Sequence, residues 1–347
     1  MNAKYFFIAP YLLFLRNYLI PTKTCVGSGA LSESMKIAVD IMGGDFAPDA
    51  IVEGVVLAAI ELPENVKIVM IGRQGVIDAL LPRYTTKPLS NVEIVHAEDI
   101  IEMGEHPTKA LSQKPNSSIG VGFKLLKEKQ VDAFCSAGNT GAMHVGALFS
   151  IKAIEGIMRP CIAGFVPQLG GGYAVMLDIG ANADCKPEML AQFGEIGSVY
   201  AEATFGIHTP RVALMNIGSE EKKGSSVAQA AYQLLKESHR INFVGNIEGG
   251  DMFADKADVI VTDGFTGNAL FKLGESIYSL AKKRGISDEF IDKTNYESVG
   301  GSPILGVNGN VIIAHGISSA MAIKNMIGLA VRQVESDAYS KIAQMLS

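Results

Sequence analysis

From Met35 onward, short apolar runs alternate with longer segments in which apolar residues recur every three or four positions, the pattern of strands followed by helices. It predicts strands over 36–41, 66–71, 92–96, 133–136, 161–166, 174–179, 212–216, 241–245 and 259–262. Between them it predicts helices over 48–60, 75–81, 117–129, 141–152, 189–205, 227–237, 269–283 and, last, 314–334. The runs on either side of QLGGG read as a hairpin. Elsewhere, a short strand followed by a helix implies a right-handed crossover and a mostly parallel sheet. The expected class is therefore α/β, with ligands gathered at the carboxyl ends of strands. No fixed-period repeat or low-complexity linker divides the chain, and the Gly170–Gly172 run is the only candidate break.

Residues 1–34 do not share this pattern. Tyr5–Ile20 is strongly apolar but is interrupted by Pro10, Arg16 and Asn17. A bilayer span needs roughly 20 mostly apolar residues, and an export signal needs a small-residue cleavage site that is not evident here. Three readings stand: a start codon placed upstream of the true one at Met35, an ordered or membrane-touching extension, or an export signal. The organisation expected is an atypical extension over 1–34 and one α/β body over 35–347. No later segment reads as a transmembrane helix.

Composition narrows the function. The 347 residues are 48% hydrophobic, and 36 acids exceed 30 Lys plus Arg. That excludes a disordered acidic chain and a basic nucleic-acid-coating protein, so no nucleic acid is expected as a partner. Four cysteines make no disulfide scaffold and fit a reducing, cytoplasmic setting. The absence of Trp argues against an aromatic binding platform.

The chemistry lies in polar, glycine-rich loops just after predicted strands. In DIMGGD, Gly43 and Gly44 either only permit a tight turn or turn backbone amides towards a ligand, with Asp45 beside them. In SAGNTG, Ser136, Asn139 and Thr140 either cap a helix or form an anion site at its positive end. DIGANADCKP holds Asn182, suited to orient a reacting carbonyl, Lys186, suited to a phosphate oxygen, and Asp184, suited to position Lys186. Cys185 lacks an identifiable base and makes a poor nucleophile candidate. In NIGSEEKKGS, Asn216 and Lys223 are candidates beside a charge run that is otherwise a solvated face. In DGFTGN, Asp263 and Asn268 flank a loop-to-helix junction, and His315 ends a short strand as either an acid–base group or a hydrogen-bonded one. No Walker A motif, dinucleotide fingerprint, GxSxG elbow or metal-ligand spacing is present, so neither a metal nor a cofactor is expected.

Taken in order, MKIAVDIMGGDFAPDAIVEG, CSAGNTGAM, MLDIGANADCKPEML, NIGSEEKKGS, NFVGNIEGGD, VIVTDGFTGNALFK and ILGVNGNVIIAHG resemble the bacterial phosphate acyltransferases of phospholipid synthesis, from Met35 to about Lys324. The resemblance implies transfer of a fatty acyl group from acyl carrier protein to inorganic phosphate. The acyl phosphate then serves a downstream membrane glycerol-3-phosphate acyltransferase. It also implies a three-layer α/β/α fold with a mostly parallel sheet, like the isocitrate/isopropylmalate dehydrogenase and phosphotransacetylase group. A homodimer, cytoplasmic and peripherally membrane-associated, is implied with it. Family sequences usually carry His where this chain has Phe46, so no role is carried over to that position.

On this reading Asn182, Lys186, Asn216 and His315 are the catalytic candidates. Gly43, Gly44, Asp45, Ser136, Asn139, Thr140, Asp184, Lys223, Asp263 and Asn268 are the substrate-binding ones. A thioester is already activated, so direct attack by held phosphate needs neither a hydrolytic triad nor a covalent acyl-enzyme. An acidic carrier protein calls for a local basic patch, and Lys109, Lys114, Lys124 and Lys127 lie close together in sequence. The alternatives are a phosphotransacetylase using acetyl coenzyme A, a decarboxylating dehydrogenase and a non-enzymatic membrane scaffold.

Overall fold

The computed structural model describes residues 34–346. Expectations for residues 1–34 fall, Ser34 apart, outside the described residues. The strands are β1 (Met35–Asp40), β2 (Val66–Gly72), β3 (Val92–His96), β4 (Ala133–Ser136), β5 (Cys161–Pro167), β6 (Tyr173–Leu177), β7 (Arg211–Met215), β8 (Asn242–Ile247), β9 (Val259–Val261), β10 (Ser302–Leu305) and β11 (Asn310–Ile313). The helices are α1 (Asp49–Glu61), α2 (Gln74–Tyr84), α3 (Pro107–Gln113), α4 (Ser118–Lys127), α5 (Thr140–Gly146), α6 (Pro187–Phe205), α7 (Ser226–Glu237), α8 (Gly264–Lys283), α9 (Glu289–Lys293), α10 (Ala320–Glu335) and α11 (Ala338–Leu346).

All the strands lie in one sheet, in the order β3-β2-β1-β4-β11-β10-β5-β6-β9-β7-β8. Side chains alternate across it. Ile37 and Val39 of β1 join the core beneath α1 and α10, while Ala38 faces the core beneath α4 and α5. Likewise Val259 and Val261 of β9 face α6, and Ile260 faces the other side. Two buried cores, one on each face, make the three-layer α/β/α arrangement. Single serine caps start several of the covering helices: Ser117 accepts from Gly120 N at 3.1 Å, and Ser225 from Ala228 N at 3.2 Å.

The sheet is parallel except around β10 and the hairpin. β10 pairs antiparallel with both β11 and β5, and β5 pairs antiparallel with β6 through a turn containing Gly170–Gly172. One consequence dominates the site. β6, β9, β7 and β8 run opposite to β1, β2, β3, β4 and β11. Carboxyl ends that sequence order would gather at one edge are therefore divided between two edges.

Helix boundaries differ from expectation where side-chain caps act. α8 begins at Gly264 rather than near 269, because Asp263 accepts from Thr266 N at 2.8 Å and from its hydroxyl at 2.9 Å. The DGFTGN segment is thus largely the first turn of a helix. The last long helix, expected from 314, starts at Ala320 after the Ser319 cap and is followed by α11. Beyond Gly146 the expected helix continues as a π-helical turn over Ala147–Ile151.

Candidate active site

Two loop systems form, one at each edge of the sheet, and helices connect them. The first joins the ends of β1, β4 and β11. The buried Asp40 carboxylate accepts from Met42 N at 2.9 Å and from Ser136 Oγ at 2.7 Å, and Ser136 Oγ accepts from Gly138 N at 2.9 Å. Burial raises the Asp40 pKa above the ordinary carboxylate value, and the serine and backbone donors oppose it. A Cβ on Gly43 would strike Asp40 and the Gly138 backbone, so this close approach requires glycine. Asp45 N donates to Gly316 O at 2.7 Å, tying the first loop to the strand end that carries His315. Asn139 caps α5 through Ala142 N at 2.9 Å, and its Nδ2 reaches the carbonyls of Glu102, Met103 and Glu105. The amides of Met42 and Asp45 are engaged inside the protein, and the Asn139 side chain is a clamp. Thr140 is exposed at the first turn of α5. Gly44 holds a positive φ of 115° in the same turn.

The second system follows β6. Asp178 is fully buried, and its carboxylate accepts from Ile162 N at 3.0 Å, Gly180 N at 3.2 Å, Ala181 N at 3.1 Å and Asn182 N at 2.6 Å. Asn182 Nδ2 donates to Asp178 at 2.9 Å and to Pro160 O at 2.8 Å. This cage sets the course of the loop that ends in Lys186. Lys186 is the N-cap residue of α6, with Pro187 at its first position, so the positive end of a 19-residue helix opens here. Gly264 N donates to Asn182 O at 2.7 Å, and Asn268 Nδ2 to Ile179 O at 3.0 Å, so α8 is seated on the loop.

A cleft of about 600 Å³ opens beside this loop. Arg159, Lys186, His144 and Asn182 supply its polar wall, and Leu148, Met158 and Met189 its apolar one. Arg159 and Lys186 are exposed, and among the described residues neither has an ion-pair partner. Burial holds the His144 imidazole below its ordinary pKa of 6.5, with Asp178 pulling the other way and Arg159 adding to the depression. Burial and the Asp178 charge push the Cys185 thiol up to about 12. Its Sγ contacts Asn182 O at 3.6 Å, so Cys185 is held as a neutral thiol.

The helices carry chemistry between the two edges. α5 starts at the Asn139 cap in the first system and delivers His144 to the second. α8 starts beside Asn182 and delivers Lys272 and Glu275 to His315. His315 Nε2 lies 2.9 Å from Glu275 Oε1, and its Nδ1 lies 3.2 Å from Lys272 Nζ. The Tyr296 ring meets the imidazole edge-on at 4.8 Å. Burial pushes the Glu275 carboxyl up, yet its contacts with His315 and Lys272 outweigh that and hold it below the usual value.

Asn182, Asp184 and Lys186 thus share one cleft, with Asn268 and Asp263 supporting its floor. Gly43, Gly44, Asp45, Ser136 and Asn139 build the other loop system, joined to His315. Asn216 and Lys223 line neither: Asn216 Nδ2 donates to Lys223 O at 3.2 Å, closing their own loop, and Lys223 lies 3.8 Å from Glu220. Arg159, His144, Asp178, Lys272 and Glu275 were not singled out from sequence. The signal for Arg159 was an arginine directly before a buried strand. That signal does not mark a ligand site by the carboxyl-end rule, because β5 presents its amino end to the cleft.

The family described as fatty acid synthesis protein matches residues 35–341. The phosphate acyltransferase of Dictyoglomus turgidum is 43% identical over 332 residues, covering 90% of this chain and 98% of that protein. That of Pelotomaculum thermopropionicum is 46% identical over 321 residues, covering 87% and 92%. Among solved structures, a phosphotransacetylase from Streptococcus pyogenes superposes with a TM-score of 0.60 at 19% identity, covering 94% of this chain and 99% of that one. The EutD phosphotransacetylase from Staphylococcus aureus gives 0.59 at 18% identity with the same coverage. These likenesses show a shared fold. With the family matched along nearly the whole body, and relatives above 40% identical across almost their full length, the chain belongs to the fatty acid synthesis protein family and is a phosphate acyltransferase.

Proposed function

We propose that the enzyme transfers a long-chain fatty acyl group from acyl carrier protein to inorganic phosphate, and that phosphate is held in the cleft between Arg159 and Lys186. The observation that carries this is a pair of cations, free of ion pairs among the described residues, facing one cleft at a helix N-terminus. Phosphate there meets two positive side chains and a positive dipole end. A lysine holds phosphate as a point charge and leaves an oxygen free to attack. That oxygen bonds to the thioester carbon, the carbon–sulfur bond breaks, and the phosphate's proton ends on the departing carrier thiol. Cys185, a neutral thiol, takes no covalent part. His315, held by Glu275 and Lys272, lies in the loop system at the other edge of the sheet and takes no part in this step.

The finer setting follows the same reading: a homodimer in the cytoplasm whose product supplies a membrane glycerol-3-phosphate acyltransferase. No helix among the described residues is long and apolar enough to cross a membrane. Peripheral association is supported by Leu273 and Leu280 on the outer face of α8, 65% and 63% exposed, beside Lys282, Lys283 and Arg284.

The test is thiol release from palmitoyl carrier protein with and without phosphate, with acyl phosphate trapped directly. Phosphate-dependent acyl phosphate supports the reading. Thiol release that is independent of phosphate, or better turnover of acetyl coenzyme A at equal concentration, defeats it.

A further inference from the structure

Two separate segments build the cleft beside Lys186, and each sets a cation next to an apolar side chain. On α6, Lys186 caps the helix and Met189 follows within the same first turn. On the segment before β5, Met158 immediately precedes Arg159. Leu148, from the π-helical turn that follows α5, completes an apolar wall with the two methionines. Asp184 is the only carboxylate among the described residues that line the cleft, against the two cations. Gln192 of α6 locks the two segments together: its side-chain oxygen accepts from Met158 N at 2.8 Å, and its Nε2 donates to Gly156 O at 2.7 Å. Nearer its start, the same segment is tied down by Ile154 N, which donates to Gly306 O at 3.0 Å. The fold therefore holds both walls in place. Met158 is nevertheless 46% exposed, an apolar side chain left open at the cleft instead of serving the core.

We propose that the wall of Leu148, Met158 and Met189 receives the first carbons of the acyl chain, so that thioester and phosphate meet inside one cleft. The inference rests on the acyl-transfer reading above and adds where the chain lies and which residues read its length. The product, an acyl phosphate, joins an alkyl chain to a phosphoryl group, and the cleft offers one wall for each. Its volume of about 600 Å³ falls within the roughly 300–1,000 Å³ of sites that bury small ligands. Both reactants then lie against residues that are neighbours in the chain, and attack on the carbonyl requires that short range. Methionine side chains are unbranched and polarizable, and adapt to chains of different shape. Each methylene buried against the wall strengthens binding by about fourfold.

The test makes the wall polar without changing its charge. Met158→Gln and Leu148→Asn keep most of the side-chain volume, and Met158 is at the surface, so the first variant leaves the core intact. Thermal melts confirm folding. Turnover is measured with butyryl and octanoyl carrier protein. The ratio of kcat/KM for octanoyl over butyryl should fall by roughly tenfold in each variant, and Met158→Leu, which keeps an apolar side chain, should restore it. Affinity of the full chain for cis-parinaric acid, followed by fluorescence, should fall by a similar factor. Folded variants with an unchanged ratio, or with wild-type affinity for the probe, would overturn the proposal. If the variants weaken the probe and yet no enzyme form makes acyl phosphate, the chain site stands and the acyl-transfer reading falls.

Discussion

Lys186 and Arg159 act on phosphate through charge. Replacing Lys186 with Met keeps most of its aliphatic volume and removes only the ammonium. We predict a ten- to thousand-fold loss of turnover, expressed mainly against phosphate, as for removal of one preorganised electrostatic contact. Steady-state kinetics at saturating acyl carrier protein read this directly, and unchanged phosphate dependence in a folded variant would remove Lys186 from the site. Cys185 supplies the contrast. Its thiol is held neutral by burial and by the nearby Asp178 charge, so Cys185→Ala should keep a substantial fraction of turnover. A folded but inactive variant, together with an acyl-enzyme trapped at Cys185 in the wild type, would overturn direct transfer. His144 adds a pH signature. Burial lowers its pKa below 6.5, so the neutral form is favoured on folding. The stability this provides is present above about pH 6.5 and is lost as pH falls through the lower folded value. His144→Gln should therefore show a smaller drop in melting temperature between pH 7.5 and 5.5 than the wild type; equal drops would contradict the assignment.

Two glycines of α8 sit in packing of unequal tightness. A Cβ on Gly267 would collide with the Asp178 backbone carbonyl, which the caged loop cannot move. Gly267→Ala should lower stability by about 1–3 kcal/mol despite better helix propensity. Gly274→Ala meets the flexible end of Met252 at 3.2 Å and the Phe253 ring at an ordinary contact distance of 3.5 Å, and should be close to neutral in the same urea titration. Comparable losses at both positions would refute this distinction. At this scale much was legible in the sequence. Period-two runs and three-to-four spacing located strands and helices, and the QLGGG hairpin was read as it occurs. Helix starts were misplaced where a cap lay upstream of the apolar periodicity, as at Asp263. The helix-borne Lys272 and Glu275 read only as the polar face of an amphipathic segment, because nothing local brings them to His315. That meeting depends on β10 inserting between β11 and β5, a pairing between distant parts of the chain.

At the scale of the whole molecule, reversed strand direction explains the division of the site. Parallel strands taken in sequence order imply one crevice at their carboxyl ends, but β10 with the hairpin sends the second half of the sheet the other way. The polar loops were visible; the edge each would occupy was not. A chain beginning at Met35 should fold and keep phosphate-dependent activity, since β1 begins there and lies between β2 and β4 in the sheet. An insoluble, inactive product from Met35 would make the preceding residues part of the fold. The same protein should leave membranes in high salt or carbonate, and Leu280→Glu should weaken its flotation with anionic vesicles. The most direct measurement supplies isotopically labelled phosphate and palmitoyl carrier protein to wild-type and Lys186→Met enzymes and detects the acyl product by mass. Labelled palmitoyl phosphate from the wild type, at least tenfold less from Lys186→Met at subsaturating phosphate, is the predicted result. Free palmitate without labelled acyl phosphate, or equal product from both enzymes, would contradict it.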